Sequence, residues 1–109
     1  MSVPPFEVSV IWEDLAPIVH LRGELDYGTA PVLHDTFKEV IKDDVKHVTL
    51  DLSEVTFIDS EGVKILLRAY KALQARGGKL SIDGCSQFAA NVFDVLGMNK
   101  YLDINVHRK

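Results

Sequence analysis

One uninterrupted stretch, Asp51-Leu-Ser-Glu-Val-Thr-Phe-Ile-Asp59-Ser60-Glu61-Gly62-Val-Lys-Ile-Leu-Leu67, limits what this chain can fold into. It reads as a buried strand that runs straight into an amphipathic helix, with Asp59 and Ser60 at the join. A helix start gathers unpaired backbone N–H groups and the positive end of the helix dipole. A serine held there is either a plain cap or a site for an anion. A phosphate at that place would be well hosted.

The segments before it carry a different pattern. Phe6-Glu-Val-Ser-Val-Ile-Trp12 alternates apolar and polar residues and reads as a strand. Glu13-Asp14 makes a turn. Ala16–Arg22 reads as a second strand, antiparallel to the first because the connection is so short. Gly23–Gly28 is expected as a loop bounded by glycines. Thr29 is placed to cap the helix that follows, with Pro31 in its first turn, where proline is tolerated. That helix is expected to reach about Lys42, with Val32, Leu33, Phe37, Val40 and Ile41 at helical spacing. Lys46–Leu52 reads as the third strand.

After Ser60, residues Val63, Leu66, Leu67, Tyr70 and Leu73 form one apolar helix face, and Gly77-Gly78 ends it. Lys79–Asp83 reads as a fourth strand. Gln87–Leu96 reads as a third helix with Phe88, Val92, Phe93 and Leu96 facing inward, stopped by Gly97. Tyr101–Val106 is a short closing segment of edge-strand character. Strands that alternate with helices favour parallel pairing through right-handed crossovers. The expected fold is one α/β domain over residues 1–109: a mixed four- to five-stranded sheet with an N-terminal hairpin and three or more packed helices. Ile58 then leads out of the C-terminal end of a strand, where such sheets place their sites.

Composition narrows the function. A chain of 109 residues, 47% hydrophobic and 26% charged, is that of one globular domain. A net charge of −4 gives no basic footprint for nucleic acid. No apolar run is long enough to span a membrane, and Met1-Ser-Val-Pro-Pro lacks the basic start of a signal peptide. Cys85, the single cysteine, excludes an internal disulfide, and a reducing, cytoplasmic compartment is expected. Cys85 is read as a packing or neutral loop residue just beyond the fourth strand, Trp12 as core and Tyr27 as a surface contact. His20, His34, His47 and His107 form no close ligand pair with one another or with Cys85, so no metal is expected. Ser60 lacks a Gly-x-Ser-x-Gly elbow and the chain has no phosphate-binding glycine loop. Neither an enzyme nor a cofactor is expected.

As a cap, Asp59 or Ser60 contributes about 1 kcal/mol, and Glu61 in the first turn suits the dipole. The surroundings favour more than a cap. Gly62 keeps the backbone open beside the serine, and the Gly23–Gly28 loop also leaves a strand and can lie near it. Phosphorylation of Ser60 would add about −1.5 to −2 charges. Between Asp59 and Glu61 that makes the field strongly negative. The expected effect falls on a partner surface, through repulsion and desolvation, with little change of fold.

Along nearly its whole length the chain resembles the STAS domain family, and within it the bacterial anti-sigma factor antagonists. Gly23-Glu-Leu-Asp26 with Thr29-Ala30 resembles the family's Gly-Glu-Leu-Asp loop, and Val55-Thr-Phe-Ile-Asp59-Ser60-Glu61-Gly62 resembles its Asp-Ser-x-Gly phosphorylation motif. Arg68-Ala-Tyr-Lys71, Gly77-Gly78, Val92-Phe-Asp94 and Leu96-Gly97 follow in the family's order. The resemblance implies a phosphoacceptor at Ser60, supported by Asp26, Asp59, Glu61 and Gly62. It implies a partner surface at Glu24, Asp26, Tyr27, Thr29, Asp59, Ser60, Glu61 and Lys64. The implied partner is an anti-sigma factor that is also a serine kinase of the GHKL type. It binds the unphosphorylated chain, releases its sigma factor, and ends the interaction by phosphorylation. A PP2C-type phosphatase restores binding. Neither nucleic acid nor membrane is an expected partner. Glu61 stands where the best-known sporulation member has a second serine, and Lys64 where it has a glycine. The alternative reading is a STAS subunit of a membrane lipid-transport ABC complex, which binds its ATPase without a phosphoswitch.

Overall fold

The computed structural model describes residues 5–42 and 44–105. β1 (Glu7–Glu13) and β2 (Ala16–Leu25) form the opening hairpin. They are followed by α1 (Ala30–Val40), β3 (His47–Ile58), α2 (Ser60–Ala75), β4 (Lys79–Cys85), α3 (Gln87–Leu96), a 3-10 turn at Met98–Lys100 and β5 (Asp103–Asn105). The five strands make one sheet in chain order, with β1 antiparallel to β2 and the remaining pairs parallel. Each parallel step crosses over through a helix and moves one strand further in the same direction. Right-handed connections therefore set all three helices on one face.

That face is the core. Val19, Leu21 and Leu25 of β2, Val48, Leu50 and Leu52 of β3, and Leu80 and Ile82 of β4 are buried against Leu33, Phe37, Leu66, Leu73 and Phe93 of the helices. The opposite face is open and polar. On it His20 Nε2 lies 2.9 Å from Glu54 Oε2, Arg22 lies 3.8 Å from Glu7, and His47 Nε2 lies 2.9 Å from Ser81 Oγ. Two expected strand ends move. β2 continues through Gly23 and Glu24 to Leu25, shortening the expected loop, and β4 continues to Cys85, which is thus a strand residue packed in the core.

β3 is a single strand from His47 to Ile58 because two register irregularities against β2 let it continue. Between His20↔Asp51 and Arg22↔Glu54, and again between Gly23↔Val55 and Glu24↔Phe57, β3 spends one residue more than β2. Each extra residue shifts the inward positions by one. The buried series runs Val48, Leu50, Leu52 and then changes spacing to Val55 and Ile58.

Other departures follow from position in the sheet. Trp12, expected in the core, is 51% exposed because it sits near the hairpin tip, beyond the cover of the helices. α1 ends at Val40 and leaves Val32 exposed, while α2 buries Ile65 and Ala69 and leaves Val63, Leu67 and Tyr70 only partly buried. In α3, Phe93 is buried but Phe88 and Leu96 are exposed. The closing strand starts at Asp103, and Val106 and His107 lie outside the described residues.

Gly62 owes its place to packing rather than to openness beside the serine. A Cβ there would lie 2.8 Å from both Leu25 Cγ and the Leu25 carbonyl oxygen, and the backbone oxygen has no room to move. Gly62→Ala is therefore expected to cost about 1–3 kcal/mol, read as a lower urea midpoint with unchanged slope.

Burial pushes the Cys85 thiol up from 9.0 to about 11. A raised acid holds its proton longer in the folded state, so its contribution is fully present below pH 9 and is lost as pH rises to about 11. Stability measured against pH should fall less steeply over that window in Cys85→Ala than in the wild type.

Candidate functional site

The C-terminal ends of β2 and β3 are joined by one carboxylate. Asp59 leaves β3 in an extended conformation and caps α2: its Oδ1 accepts from the N–H groups of Glu61 at 2.9 Å and Gly62 at 3.0 Å. Its Oδ2 accepts from the Tyr27 N–H at 2.9 Å, thirty-two residues away in sequence. The Asp59 N–H donates to the Leu25 carbonyl at 3.1 Å. The segment that leaves β2 therefore meets the β3–α2 join at this residue, which agrees with the expectation that the Gly23–Gly28 loop lies near the serine.

The neighbouring loop is organised by Asp26 and Thr29. Asp26 Oδ1 accepts from the N–H groups of Gly28 at 2.9 Å and Thr29 at 3.1 Å, and its carbonyl accepts from the Ala30 N–H at 2.7 Å. Thr29 makes no side-chain cap to α1, contrary to expectation. Its hydroxyl instead accepts from the Asp26 N–H at 2.8 Å and donates to the Glu24 carbonyl at 2.7 Å. The threonine closes the loop across its base, the Asp26 carboxylate turns the chain at Gly28 and Thr29, and the Asp26 backbone carbonyl receives the first N–H of α1. Tyr27 is left 79% exposed at the tip, a surface position as expected.

Ser60 is the first residue of α2 and is exposed. Among the described residues its hydroxyl has no hydrogen-bond partner. Of the two roles the sequence left open at this join, the cap is filled by Asp59, which already occupies the Glu61 and Gly62 N–H groups. Asp59 and Glu61 flank Ser60 in the chain, so a phosphate there would add its charge to two carboxylates. Lys64, one turn on, is the nearby cation and is paired with Glu61 at 3.0 Å.

Ser60 and Lys64 also sit on the rim of a groove of about 600 Å³ between α2 and α3. Ile58, Val63, Phe88, Val92, Val95 and Leu96 line it, with Asp59 and Asn91 as polar members. Val95 is 85% exposed, and the Phe57 and Phe88 rings lie tilted at 40° with centroids 5.5 Å apart, Phe88 on the groove wall. Sequence reasoning missed these residues as a surface. The signal was present, since Gln87–Leu96 is apolar around more of its circumference than one buried face needs. Among the described residues, no His, Cys, Asp and Glu group could hold a metal, and no helix is long and apolar enough to cross a membrane.

The family model described as "Mlab, STAS domain" matches residues 8–105. An anti-sigma F factor antagonist from Paenibacillus polymyxa is 30% identical over 88 residues, covering 80% of this chain and 75% of the relative. An anti-sigma-B factor antagonist from Bacillus subtilis strain 168 is 26% identical over 87 residues, covering 80% and 79%. Among solved structures, an anti-sigma factor antagonist from Mycobacterium paratuberculosis superposes with a TM-score of 0.83 at 28% identity, covering 95% of this chain and 89% of that one. The phosphorylated form of the Bacillus cell fate determinant SpoIIAA superposes with a TM-score of 0.72 at 20% identity, covering 93% and 91%, a likeness of fold alone.

Two substitutions separate the roles of the Asp59 oxygens. Asp59→Ala should lower stability by about 1–2 kcal/mol through loss of the cap. Asp59→Asn can keep the cap with its amide oxygen but turns an amide N–H₂ toward the Tyr27 N–H. It should recover most of that stability while amide exchange at Tyr27 and Gly28 stays faster than in the wild type.

Proposed function

Because this chain belongs to the STAS domain family, we propose that it is an anti-sigma factor antagonist gated by phosphorylation of Ser60. In this reading the unphosphorylated chain binds an anti-sigma factor serine kinase of the GHKL type and frees its sigma factor. Phosphorylation of Ser60 ends the interaction, and a PP2C-type phosphatase reverses it, all in the cytoplasm and without a catalytic step by this chain.

One observation carries the proposal: an exposed serine with no internal partner on the rim of an apolar groove. Apolar side chains of a partner seated in that groove would exclude water from the rim. A phosphate there would have to lose its hydration beside Asp26, Asp59 and Glu61, with Lys64, already paired to Glu61, as the compensating cation on the groove rim among the described residues. Repulsion and desolvation both oppose binding. The fold itself has little to lose, because Asp59 already caps α2. Glu24, Asp26, Tyr27 and Thr29 supply the second wall of the partner surface in this reading, with Glu61 and Lys64 beside the acceptor.

The test compares wild type, Ser60→Ala and Ser60→Asp in a pull-down from source-cell lysate, followed by direct binding to the retained protein. A small ATP-binding serine kinase should be held by wild type and Ser60→Ala. Ser60→Asp should bind it at least roughly tenfold more weakly, a loss of about 1.4 kcal/mol. Equal binding of a serine kinase by all three would end the switch reading. A transporter ATPase held equally by all would support the lipid-transport alternative.

A further inference from the structure

Among the described residues β1 is an edge strand, paired to β2 alone. Its seven residues run against β2 in unbroken register, from Glu7↔Arg22 to Glu13↔Ala16. Edge strands are ordinarily guarded by a bulge, a proline or a lysine, because their free N–H and C=O groups are a template for another strand. β1 has none of these. Its only charges are the glutamates at its two ends, and the residues between include Ile11 and Trp12, 59% and 51% exposed.

We propose that β1 pairs antiparallel with β1 of a second copy of this chain, giving a two-fold dimer with a continuous ten-stranded sheet. The strand is self-complementary, which is why a second copy fits it. In the register centred on Ser9, Val8 faces Val10 of the second copy and Phe6 faces Trp12 of the second copy, all on the helix-covered side. That side is fixed by the pairing of Val8, Val10 and Trp12 with the buried Leu21, Val19 and Pro17. On the open side Ser9 faces its own equivalent, and Glu7 faces Ile11 of the second copy. A register centred on Val10 would instead set Glu7 against Glu13 at both ends, and like charges directly opposite are destabilising. The contact is isologous, so it closes at two copies.

Edge pairing over the five β1 residues Glu7–Ile11, flanked by Phe6 against Trp12, falls short of the roughly 1,200–2,000 Å² buried in standard stable complexes. The dimer is therefore weak and dependent on concentration. Because β1 is antiparallel across the axis, the two Ser60 sites lie at opposite ends of the joined sheet and both stay open.

Sedimentation of the full chain from low micromolar to millimolar concentration tests this. The weight-average mass should rise from 12.2 kDa toward twice that value. Emission of Trp12, the only tryptophan, should shift to the blue in parallel, and amide exchange in β1 should slow. Ser9 is exposed, so Ser9→Lys and Ser9→Glu should fold, as circular dichroism will check. Each alone places like charges across the axis and should weaken self-association at least roughly tenfold, whereas an equimolar mixture of the two should restore it. A wild-type mass fixed at 12.2 kDa with unchanged β1 exchange overturns the dimer. Self-association indifferent to either charge, or not restored by mixing, overturns the Ser9-centred pairing.

Discussion

The carboxylate of Asp59 holds the functional end of this molecule together. One oxygen starts α2, and the other fixes the loop that leaves β2. Since the Asp59 N–H also continues the sheet by donating to Leu25, a single residue sets where two strands end and how the following segments leave them. The close seat of Gly62 against Leu25 depends on the same alignment, because α2 can approach β2 only if it starts at the right place. Asp26 and Thr29 complete the arrangement from the other side, spending their polar groups on the loop itself.

This economy determines what the neighbouring serine can do. Helix starts attract phosphate when their N–H groups are free. Here a side-chain carboxylate has taken two of them, so added charge at Ser60 gains little from the helix. Its energetic effect is displaced outward, to whatever lies against the groove between α2 and α3. A site that stabilises its phosphate internally would change the fold on modification. A site that leaves the phosphate unhosted changes the affinity for a partner instead. The geometry around Ser60 is of the second kind.

The strand-to-helix join and the order of elements were legible in the sequence because each follows from local chemistry: a cap, a helical stripe, a short hairpin connection. What was not legible depended on neighbours. That the strand before Ser60 reaches Ile58 was legible, but its phase and its continuity with Lys46–Leu52 were not: strict alternation breaks after Leu52, and two extra residues relative to β2 re-phase β3 so that Val55 and Ile58 still face inward. Thr29 has the composition of a cap, but the Glu24 carbonyl, a partner outside the helix, claims its hydroxyl. Trp12 has the composition of core, but the hairpin carries it beyond the reach of the helices. The apolar groove was hidden because α3 was assigned one inward face, whereas its apolar residues extend to Val95 and Leu96.

Parallel sheets are ordinarily covered on both faces and read as continuous apolar runs. This one is covered on one face only, because every crossover advances in the same direction. Its inner parallel strands consequently alternate, with His20, Arg22, Thr49 and Asp51 turned to water opposite the buried Val19, Leu21 and Leu50. Away from the hairpin tip, a polar open face of this kind offers little apolar area for a partner. Exposed apolar surface is therefore displaced to two other places: the groove at the strand ends beside Ser60, and the hairpin edge at Ile11 and Trp12. The first is bounded by the C-terminal ends of the strands and the second lies along β1 toward the opposite end, so a partner on one leaves the other free. A one-sided sheet thus separates a charge-sensitive surface from a charge-poor one within a single small domain.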